Sequence, residues 1–203
     1  MGDRGSGRRG ALTGRRGAPL PAGLIRPFLY GAAPPLEDVH GAGLSLSIRP
    51  AARADAALIL ALVGELAEYE RLAHEVDATE AMLAAALFAE NPRVFCAIAE
   101  WDGAPAGFAL WFYSFSTFRG RHGIHLEDVF VRPALRGRGI GMALLVDLAR
   151  RCAAEDLARL EWGVLDWNEP AIAFYRRLGA VAMEGWTKNR LDGGALAALA
   201  GRA

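Results

Sequence analysis

The sequence has few cysteines: its 203 residues include only Cys96 and Cys152. Cys96 lies in a strand-like run, and Cys152 lies on the apolar face of a predicted helix. Two cysteines in such settings exclude a disulfide-rich secreted scaffold and favour a reducing compartment, so we predict a cytoplasmic protein. Both thiols are expected to be small packing groups rather than nucleophiles.

Long apolar runs and clustered metal ligands are also missing. No stretch approaches the roughly 18 consecutive apolar residues of a membrane-spanning helix. The four histidines are scattered along the chain. His122 and His125 share one extended segment, but no acidic or cysteine set accompanies them at ligand spacing. The sequence therefore predicts neither a membrane protein nor a metal site.

Acidic residues are scarce in residues 1–43, although the whole chain has a net charge of zero. This segment holds six arginines against three acidic residues and is rich in Gly, Pro and Ala, which predicts a disordered extension. It has a weak transit-peptide character, and a translation start placed too far upstream explains it at least as well. The segment lacks a recognisable nucleic-acid-binding module, so we predict no nucleic-acid partner.

The remaining 160 residues, 44–203, are enough for one domain and carry a net charge of −3. A mildly acidic domain suits a cationic substrate, although ordinary surface charge explains the excess equally well. Alternating apolar residues from Leu44 to Ile48 predict a first strand. Helical spacing then predicts two helices, capped by Asp55 and Thr79. After them the pattern predicts a hairpin of residues 94–101 and 106–115, a third strand over 124–131, a helix, and two strands that bracket a helix around Tyr175.

A glycine-rich loop, Arg136-Gly137-Arg138-Gly139-Ile140-Gly141, follows the predicted strand of residues 124–131 and opens a helix. Glycines let backbone amides converge on an anion, and the positive end of the helix dipole adds attraction. The two arginines would bind diphosphate oxygens directly. The loop lacks the Lys-Ser or Lys-Thr pair of a P-loop, and its first glycine does not close the strand as in a dinucleotide fingerprint. An ordinary tight turn is the alternative.

A second informative segment spans residues 160–180, where a strand, a polar break and a short helix are predicted. Asn168 is suited to cap this helix, Pro170 fits its first turn, and Gly179 fits its C-terminal end. Tyr175 lies on the helix. Its residue type alone leaves two interpretations, a functional phenol or a core aromatic beside Phe174.

Together the two segments resemble the GNAT acyltransferase superfamily. The loop fits the Arg-x-x-Gly-x-Gly acetyl-CoA motif, and residues 168–179 fit the segment that flanks the CoA arm. The resemblance implies an α/β GNAT fold, with a mixed central β-sheet flanked by helices. Over about residues 44–195 the chain is similar to the diamine (spermidine/spermine and thialysine) N-acetyltransferases, which implies a homodimer that acetylates a primary amine. The stretches that carry this similarity are Ile48–Pro50, Glu65–Glu70, Leu126–Asp128, Trp167–Pro170 and Glu184–Trp186.

The resemblance also implies where acetyl-CoA, the co-substrate, would bind. Val129 and Val131 would contact the pantetheine arm through main-chain atoms, and a backbone amide near Val129 would stabilise the oxyanion. The predicted acetyl-CoA-binding residues are Val129, Phe130, Val131, Arg136, Gly137, Arg138, Gly139, Ile140, Gly141, Met142 and Asn168.

Two residues are predicted to be catalytic. Glu127 would accept the proton of the amine through water or hold its ammonium group, and a dry cleft would raise its pKa. The neighbouring Asp128 is expected to point to the opposite face, because side chains alternate along a strand. Tyr175 would protonate the departing thiolate. The alternative for Glu127 is a salt bridge at the rim with Arg119 or Arg121.

The substrate site is predicted to include Tyr69, Glu70, Glu127 and Trp186, which match family positions. Tyr69 could equally be a core residue, and Glu70 a solvated helix end. Residues 111–123 depart from the animal polyamine enzymes by adding two arginines and a histidine, which slightly favours an acceptor that carries a carboxylate. The sequence leaves the amine open. It also leaves open two rival functions, a peptide acetyltransferase and a non-catalytic acyl-CoA-binding sensor.

Overall fold

The protein is built on one mixed β-sheet, seen in a computed structural model that describes residues 45–202. The predicted disordered extension, residues 1–43, lies outside the described residues. Strands β1 to β4 are antiparallel, and β5 pairs parallel with β4. This confirms the predicted fold class. The strands are β1 (Leu46–Pro50), β2 (Val94–Trp101), β3 (Ala104–Ser116), β4 (Arg121–Val131) and β5 (Leu160–Trp162), and the helices are α1 (Ala56–Glu70), α2 (Glu80–Leu87), α3 (Ile140–Ala154), α4 (Glu169–Arg177) and α5 (Gly193–Ala200).

Helices cover both faces of the sheet and form two apolar cores. On one face, Ile140, Leu144 and Leu148 of α3 are fully buried against the sheet. On the other face, Ile59 and Leu62 of α1 are equally buried. Each such side chain contributes about 1.5–3 kcal/mol on leaving water. The two cores therefore fix α1 and α3 on opposite faces of β4, and the functional segments lie at the ends of these helices.

Of the two helix caps predicted for α1 and α2, Thr79 is confirmed and Asp55 is wrong. Thr79 Oγ1 accepts a hydrogen bond of 3.3 Å from the Met82 amide at the start of α2, as expected. Asp55 occupies the N-cap position of α1 but does not cap that helix. Its carboxylate accepts from the Ala52 amide at 2.7 Å and from the Arg49 guanidinium, which lowers the pKa of Asp55. Asp55 therefore links the end of β1 to the turn before α1.

A β-bulge interrupts the pairing of β3 with β4. Trp111 pairs with Leu126 and Leu110 pairs with Asp128, so Glu127 is the extra residue without a partner. Without a bulge, Leu126 and Phe130 would face the same side of the sheet, because they are four residues apart. Instead Leu126 packs in the α3 core and Phe130 in the α1 core. The bulge reverses the facing of every β4 residue that follows it.

Strands β4 and β5 pair over only three residues, ending at Leu126 and Trp162. Beyond that point β4 continues to Val131, whereas no strand follows Trp162 beside it. The two chain segments therefore separate at the bulge. This opening leaves the second half of β4 with a free edge, and the cavity described below lies there.

The last predicted strand, after the Tyr175 helix, is wrong. Within the described part of the chain, residues 180–192 contain no strand, and the chain ends instead in α5. Residues 181–202 are all exposed, and Trp186 is 78% exposed. A strand needs a hydrogen-bonded neighbour, and no described segment pairs with the outer edge of the short strand β5. Among residues 45–202 no helix is long and apolar enough to cross a membrane.

Candidate active site

A cavity of about 590 Å³ lies where β4 and β5 separate. Its walls come from the C-terminal end of α1, the second half of β4, the glycine-rich loop with the start of α3, and α4. Because β4 and the glycine-rich loop are consecutive, these walls belong to three segments that are far apart in the sequence: residues 66–70, 126–142 and 162–178. Nearly all the predicted site residues line it; Arg138 and Trp186 are the two that do not.

The glycine-rich loop has the conformation of an anion-binding turn. Gly137 and Gly139 have φ angles of 77° and 82°, which side chains with a Cβ disfavour. Gly139 is the N-cap of α3, and the first hydrogen bond back to it comes from the Ala143 amide. The amides of Ile140, Gly141 and Met142 therefore have no partner within the helix and are free to bind phosphate oxygens.

Both loop arginines contact other parts of the chain. Arg136 donates from Nε to the Val131 carbonyl at 3.0 Å, and its guanidinium lies 4.2 Å from the centre of the Tyr69 ring. Arg138 lies 5.4 Å from the ring centre of Trp101 and outside the cavity. In this structure the two side chains thus contact protein groups, and neither is directed at the position predicted for the diphosphate. Arg136 holds the loop against β4 instead.

Asp128, rather than Glu127, is the desolvated carboxylate of β4. Burial raises the pKa of Asp128 to about 6, and the neighbouring charges of Glu127 and Glu70 add to this rise. Glu127 also lines the cavity, but its side chain is 54% exposed. The expectation that Asp128 points to the opposite face is wrong, because the bulge at Glu127 breaks the alternation on which it rested. The sequence pattern gives no sign of this bulge.

The alternative interpretation of Glu127, a rim salt bridge with Arg119 or Arg121, is not found among the described residues. His125 Nε2 lies 3.6 Å from Glu127 Oε2, and the His125 ring packs 4.9 Å from Phe112. Arg121 instead binds the Asp156 side chain and backbone. Arg121 starts β4 six residues before Glu127, which places it roughly 20 Å away along the strand. The arginine-rich segment therefore lies at the far end of β4, and its charge says nothing about the acceptor.

Tyr175 projects into the cavity from α4. Asn168 Oδ1 accepts from the Ala171 amide at 3.4 Å and caps this helix, as predicted. The Tyr175 ring packs against Trp162 at 5.1 Å, edge to face. Burial raises the pKa of the Tyr175 phenol, with smaller contributions from Glu70 and Tyr69. The phenol is therefore protonated at neutral pH, and the side chain is at once a packing residue and a cavity residue.

Tyr69 connects the end of α1 to the loop and helix α4. Its hydroxyl donates to Asn168 Oδ1 at 3.2 Å, and its ring lies 6.0 Å from Trp167. The adjacent Glu70 lines the cavity, and burial raises its pKa. Of the four predicted substrate residues, Trp186 is the one that this cavity does not include. No group of three or more metal-binding side chains occurs within residues 45–202.

The chain matches the acetyltransferase (GNAT) family over residues 60–180. It belongs to this family and is an N-acetyltransferase. Thialysine N-epsilon-acetyltransferase of Bos taurus is 39% identical over 166 residues, which cover 76% of this chain and 97% of that protein. L-ornithine N5-acetyltransferase of Arabidopsis thaliana is 30% identical over 199 residues, which cover 75% and 86%.

Solved structures agree on the fold. An integron cassette protein from V. cholerae superimposes with a TM-score of 0.65 at 26% identity, covering 77% of this chain and 98% of that one. An aminoglycoside acetyltransferase from an uncultured soil metagenomic sample has a TM-score of 0.61 at 22% identity, covering 73% and 99%. The predicted resemblance to diamine and thialysine acetyltransferases is confirmed by the sequence relatives.

Proposed function

We propose that this protein transfers the acetyl group of acetyl-CoA directly to the primary amine of a small diamine, polyamine or lysine-like substrate. One observation supports this most strongly. A single cavity combines the free amides of the α3 N-terminus, the protonated phenol of Tyr175 and the carboxylates of Glu70, Glu127 and Asp128. These are the groups needed to bind a diphosphate, protonate a thiolate and attract an ammonium group.

Acetyl-CoA would lie along the free edge of β4. The amides of Ile140, Gly141 and Met142 would hold its diphosphate, with the helix dipole of α3 adding attraction. The backbone of Val129–Val131 would pair with the pantetheine arm, since β5 does not occupy that edge. Bound there, acetyl-CoA supplies the activated acyl group as a thioester.

The acceptor amine must lose a proton before it attacks. Asp128 is half-buried, and desolvation raises its pKa to about 6, so it is ionised but only weakly hydrated at neutral pH and suits the role of base. Glu127, more exposed, would hold the ammonium group or pass the proton to solvent. A backbone amide near Val129 would stabilise the negative charge that develops on the thioester oxygen. Tyr175 would then donate its proton to the departing thiolate.

The carboxylates of the cavity and the names of the relatives both support a cationic amine as the acceptor. Three carboxylates line the cavity, and the Tyr69 ring, which Arg136 contacts, adds aromatic surface beside them. Among the relatives, one acts on thialysine and another on L-ornithine. Both acceptors carry a primary amine at the end of a short flexible chain, which the cavity would bind with the amine toward Asp128.

We also propose that the enzyme is a cytoplasmic homodimer, with the acetyltransferase domain in residues 44–203. Val181, Met183 and Trp186 are exposed apolar side chains on one continuous segment, and such segments commonly form subunit contacts. Cys96 and Cys152 are free thiols, which suits a reducing compartment. Light scattering of the purified protein would test the dimer, and a monomer at micromolar concentration would contradict it.

The direct test of the function is an assay of CoA thiol release. Purified protein is mixed with acetyl-CoA and with each of spermidine, putrescine, thialysine, lysine, an aminoglycoside and a peptide, and the acetylated product is identified by mass spectrometry. We expect turnover on small amines and little on peptides. Tight acetyl-CoA binding without turnover of any small amine would contradict the proposal.

A further inference from the structure

Arg71, which directly follows the cavity residue Glu70, has an unusual backbone conformation. It follows Glu70, the last residue of α1, and has a φ of 62°. Within the described chain three non-glycine residues have positive φ, and the other two, Asp102 and Asp156, have short polar side chains that tolerate it. Glycine is the usual residue at this position of a helix end. Strain kept in this way points to a role for the side chain.

The Arg71 side chain lies beside Trp167, the residue before the cavity residue Asn168. Its guanidinium carbon is 6.0 Å from the ring centre of Trp167, which in turn lies 6.0 Å from Tyr69. Tyr69 and Glu70 both line the cavity. Within residues 45–202 no carboxylate lies within 4.0 Å of this guanidinium. All five of its donors are therefore available to an anion.

The charges around the cavity are arranged in two zones. Glu70, Glu127 and Asp128 line the interior, whereas Arg71 lies outside it, at the junction of α1 with the loop before α4. The aromatic rings of Tyr69 and Trp167 lie between the two zones. A substrate with an ammonium group at one end and a carboxylate at the other matches this arrangement. A polyamine, which is cationic along its whole length, gains nothing from Arg71.

Other arginines near the cavity have different surroundings. Arg136 is engaged by the Val131 carbonyl and the Tyr69 ring. Arg177 lines the cavity from the last turn of α4, two residues beyond Tyr175. It is thus on the helix that presents the thiolate acid, whereas Arg71 adjoins the acceptor wall. Arg177 is the competing assignment that the experiment must separate.

We infer that Arg71 binds the carboxylate of an α-amino acid whose side chain ends in a primary amine, and so selects amino acids over diamines and polyamines. This inference rests on the proposed function. A guanidinium binds a carboxylate through two parallel hydrogen bonds, and the Trp167 ring, 6.0 Å from the guanidinium carbon, keeps this group near the cavity residues of α1. The acceptor amine is then directed inward to Asp128 and the thioester.

The experiment compares each amino acid with its decarboxylated counterpart: ornithine with putrescine, and lysine with cadaverine. The variant is Arg71→Gly, because glycine suits the positive φ and keeps the helix end intact. We expect kcat/KM for the amino acids to fall by about tenfold to a hundredfold, the usual loss for one charged hydrogen-bonded contact, with kcat/KM for the diamines changed by less than about twofold. The melting temperature should stay equal or rise.

Two further variants sharpen the result. Arg176→Ala removes an equal charge from an exposed position on α4 outside the cavity and should leave the ratio of the two substrate classes unchanged. A changed ratio in Arg177→Ala, with none in Arg71→Gly, would overturn the inference and place the carboxylate at Arg177. Equal losses on both substrate classes in Arg71→Gly would also overturn it.

The substrate preference of the unmodified protein tests this inference separately from the proposed function. Efficient acetylation of putrescine and cadaverine, with no preference for ornithine or lysine, would overturn the role of Arg71 and leave the proposed function standing. No turnover of either substrate class, under conditions where acetyl-CoA binds, would overturn the proposed function itself. Preference for the amino acids, lost in Arg71→Gly and partly kept in Arg71→Lys, supports both.

Discussion

The two halves of β4 have the same strand geometry but different neighbours. From Arg121 to Leu126 the strand is paired on both sides, with β3 and with β5. After the bulge at Glu127, residues 128–131 are paired with β3 only, and the other edge faces the cavity. Ile124, in the closed half, is a fully buried apolar residue. Asp128, in the open half, is a charged residue close to the carboxylates of Glu127 and Glu70.

The closed half of β4 thus serves mainly the stability of the fold, whereas the open half is available for the chemistry. The closed half contributes apolar burial and hydrogen bonds to the sheet. The open half makes no hydrogen bonds to β5. Its backbone groups on that edge can therefore bind a ligand, and its carboxylates are partly desolvated by the cavity walls. Substitutions in the two halves should therefore have opposite effects, with activity lost at the open end and stability lost at the closed end.

The largest effect is expected at Tyr175, which lies opposite the open half. Tyr175→Phe keeps the ring packing on Trp162 and removes the proton donor, so kcat should fall by about a hundredfold or more, the usual contribution of a general acid. The KM for acetyl-CoA should change little. Steady-state kinetics measure both.

A matched control for that substitution is Tyr113→Phe. The Tyr113 hydroxyl donates to Glu155 at 2.6 Å and does not line the cavity. We expect unchanged kcat in this variant. A similar loss of kcat in both variants would mean that the effect at Tyr175 is structural, and proton transfer would have to be assigned to another group.

Asp128→Asn should lower activity and raise stability. Because the folded-state pKa of Asp128 is raised to about 6, the native protein binds more protons than the unfolded chain between about pH 4 and 6. The ionised Asp128 therefore destabilises the fold above pH 6, by roughly 2–3 kcal/mol, and this penalty disappears as the pH falls. Urea unfolding at pH 7 should show a more stable variant.

The kinetic part of this prediction concerns the pH profile. In the parent protein the rise of kcat/KM with pH should include an ionisation near 6, where Asp128 loses its proton. Asp128→Asn should lose that ionisation together with about tenfold or more in kcat/KM. The matched variant is Glu127→Gln, which should keep the ionisation. If Glu127→Gln removes it instead, Glu127 is the base, as the sequence first suggested.

The smallest effect is expected in the closed half, at Gly123. An added Cβ would lie 2.9 Å from the Arg159 carbonyl oxygen and 2.8 Å from the Arg159 side chain, where β4 meets β5. Gly123→Ala should therefore destabilise the protein by about 1–3 kcal/mol, as overpacking does, while kcat per folded molecule stays unchanged. Thermal unfolding and active-site titration measure the two quantities.

Gly64→Ala is the control for Gly123→Ala, since no atom lies within 4 Å of its added Cβ. Gly64 lies within α1, so alanine should stabilise the helix slightly, by about 0.5–1 kcal/mol. A loss of kcat in Gly123→Ala without a loss of stability would contradict the division of β4 into a closed half for stability and an open half for chemistry. It would show that the closed half takes part in the chemistry.

Local patterns were enough to predict much of the site. The loop from Arg136 to Gly141 follows a strand and opens a helix, as its glycines require, and Asn168 caps the helix that carries Tyr175. These features depend on residues that are close in the sequence, and their side chains and φ angles act locally. The alternation of apolar residues likewise predicted most strands, because burial on one face imposes it.

Long-range pairing could not be predicted in the same way. The bulge at Glu127 depends on how β3 and β4 align, and residues near Glu127 give no sign of it. It places both carboxylates at the cavity and leaves Asp128, rather than Glu127, as the desolvated one. The missing last strand has a similar cause: residues 180–192 satisfy strand patterns locally, yet no described strand lies beside them to pair with.

The sequence by itself determined the fold class, the glycine-rich turn before α3 and the phenol on α4, since each follows from short-range geometry and from the spacing of apolar side chains. Only the tertiary structure decided which carboxylate is desolvated, where Arg136 is directed and that Arg71 lies beside Trp167. These depend on contacts between segments about 60 to 100 residues apart, such as Tyr69 with Asn168 and with Arg136. Desolvation and charge proximity arise from those contacts, and no local pattern encodes them.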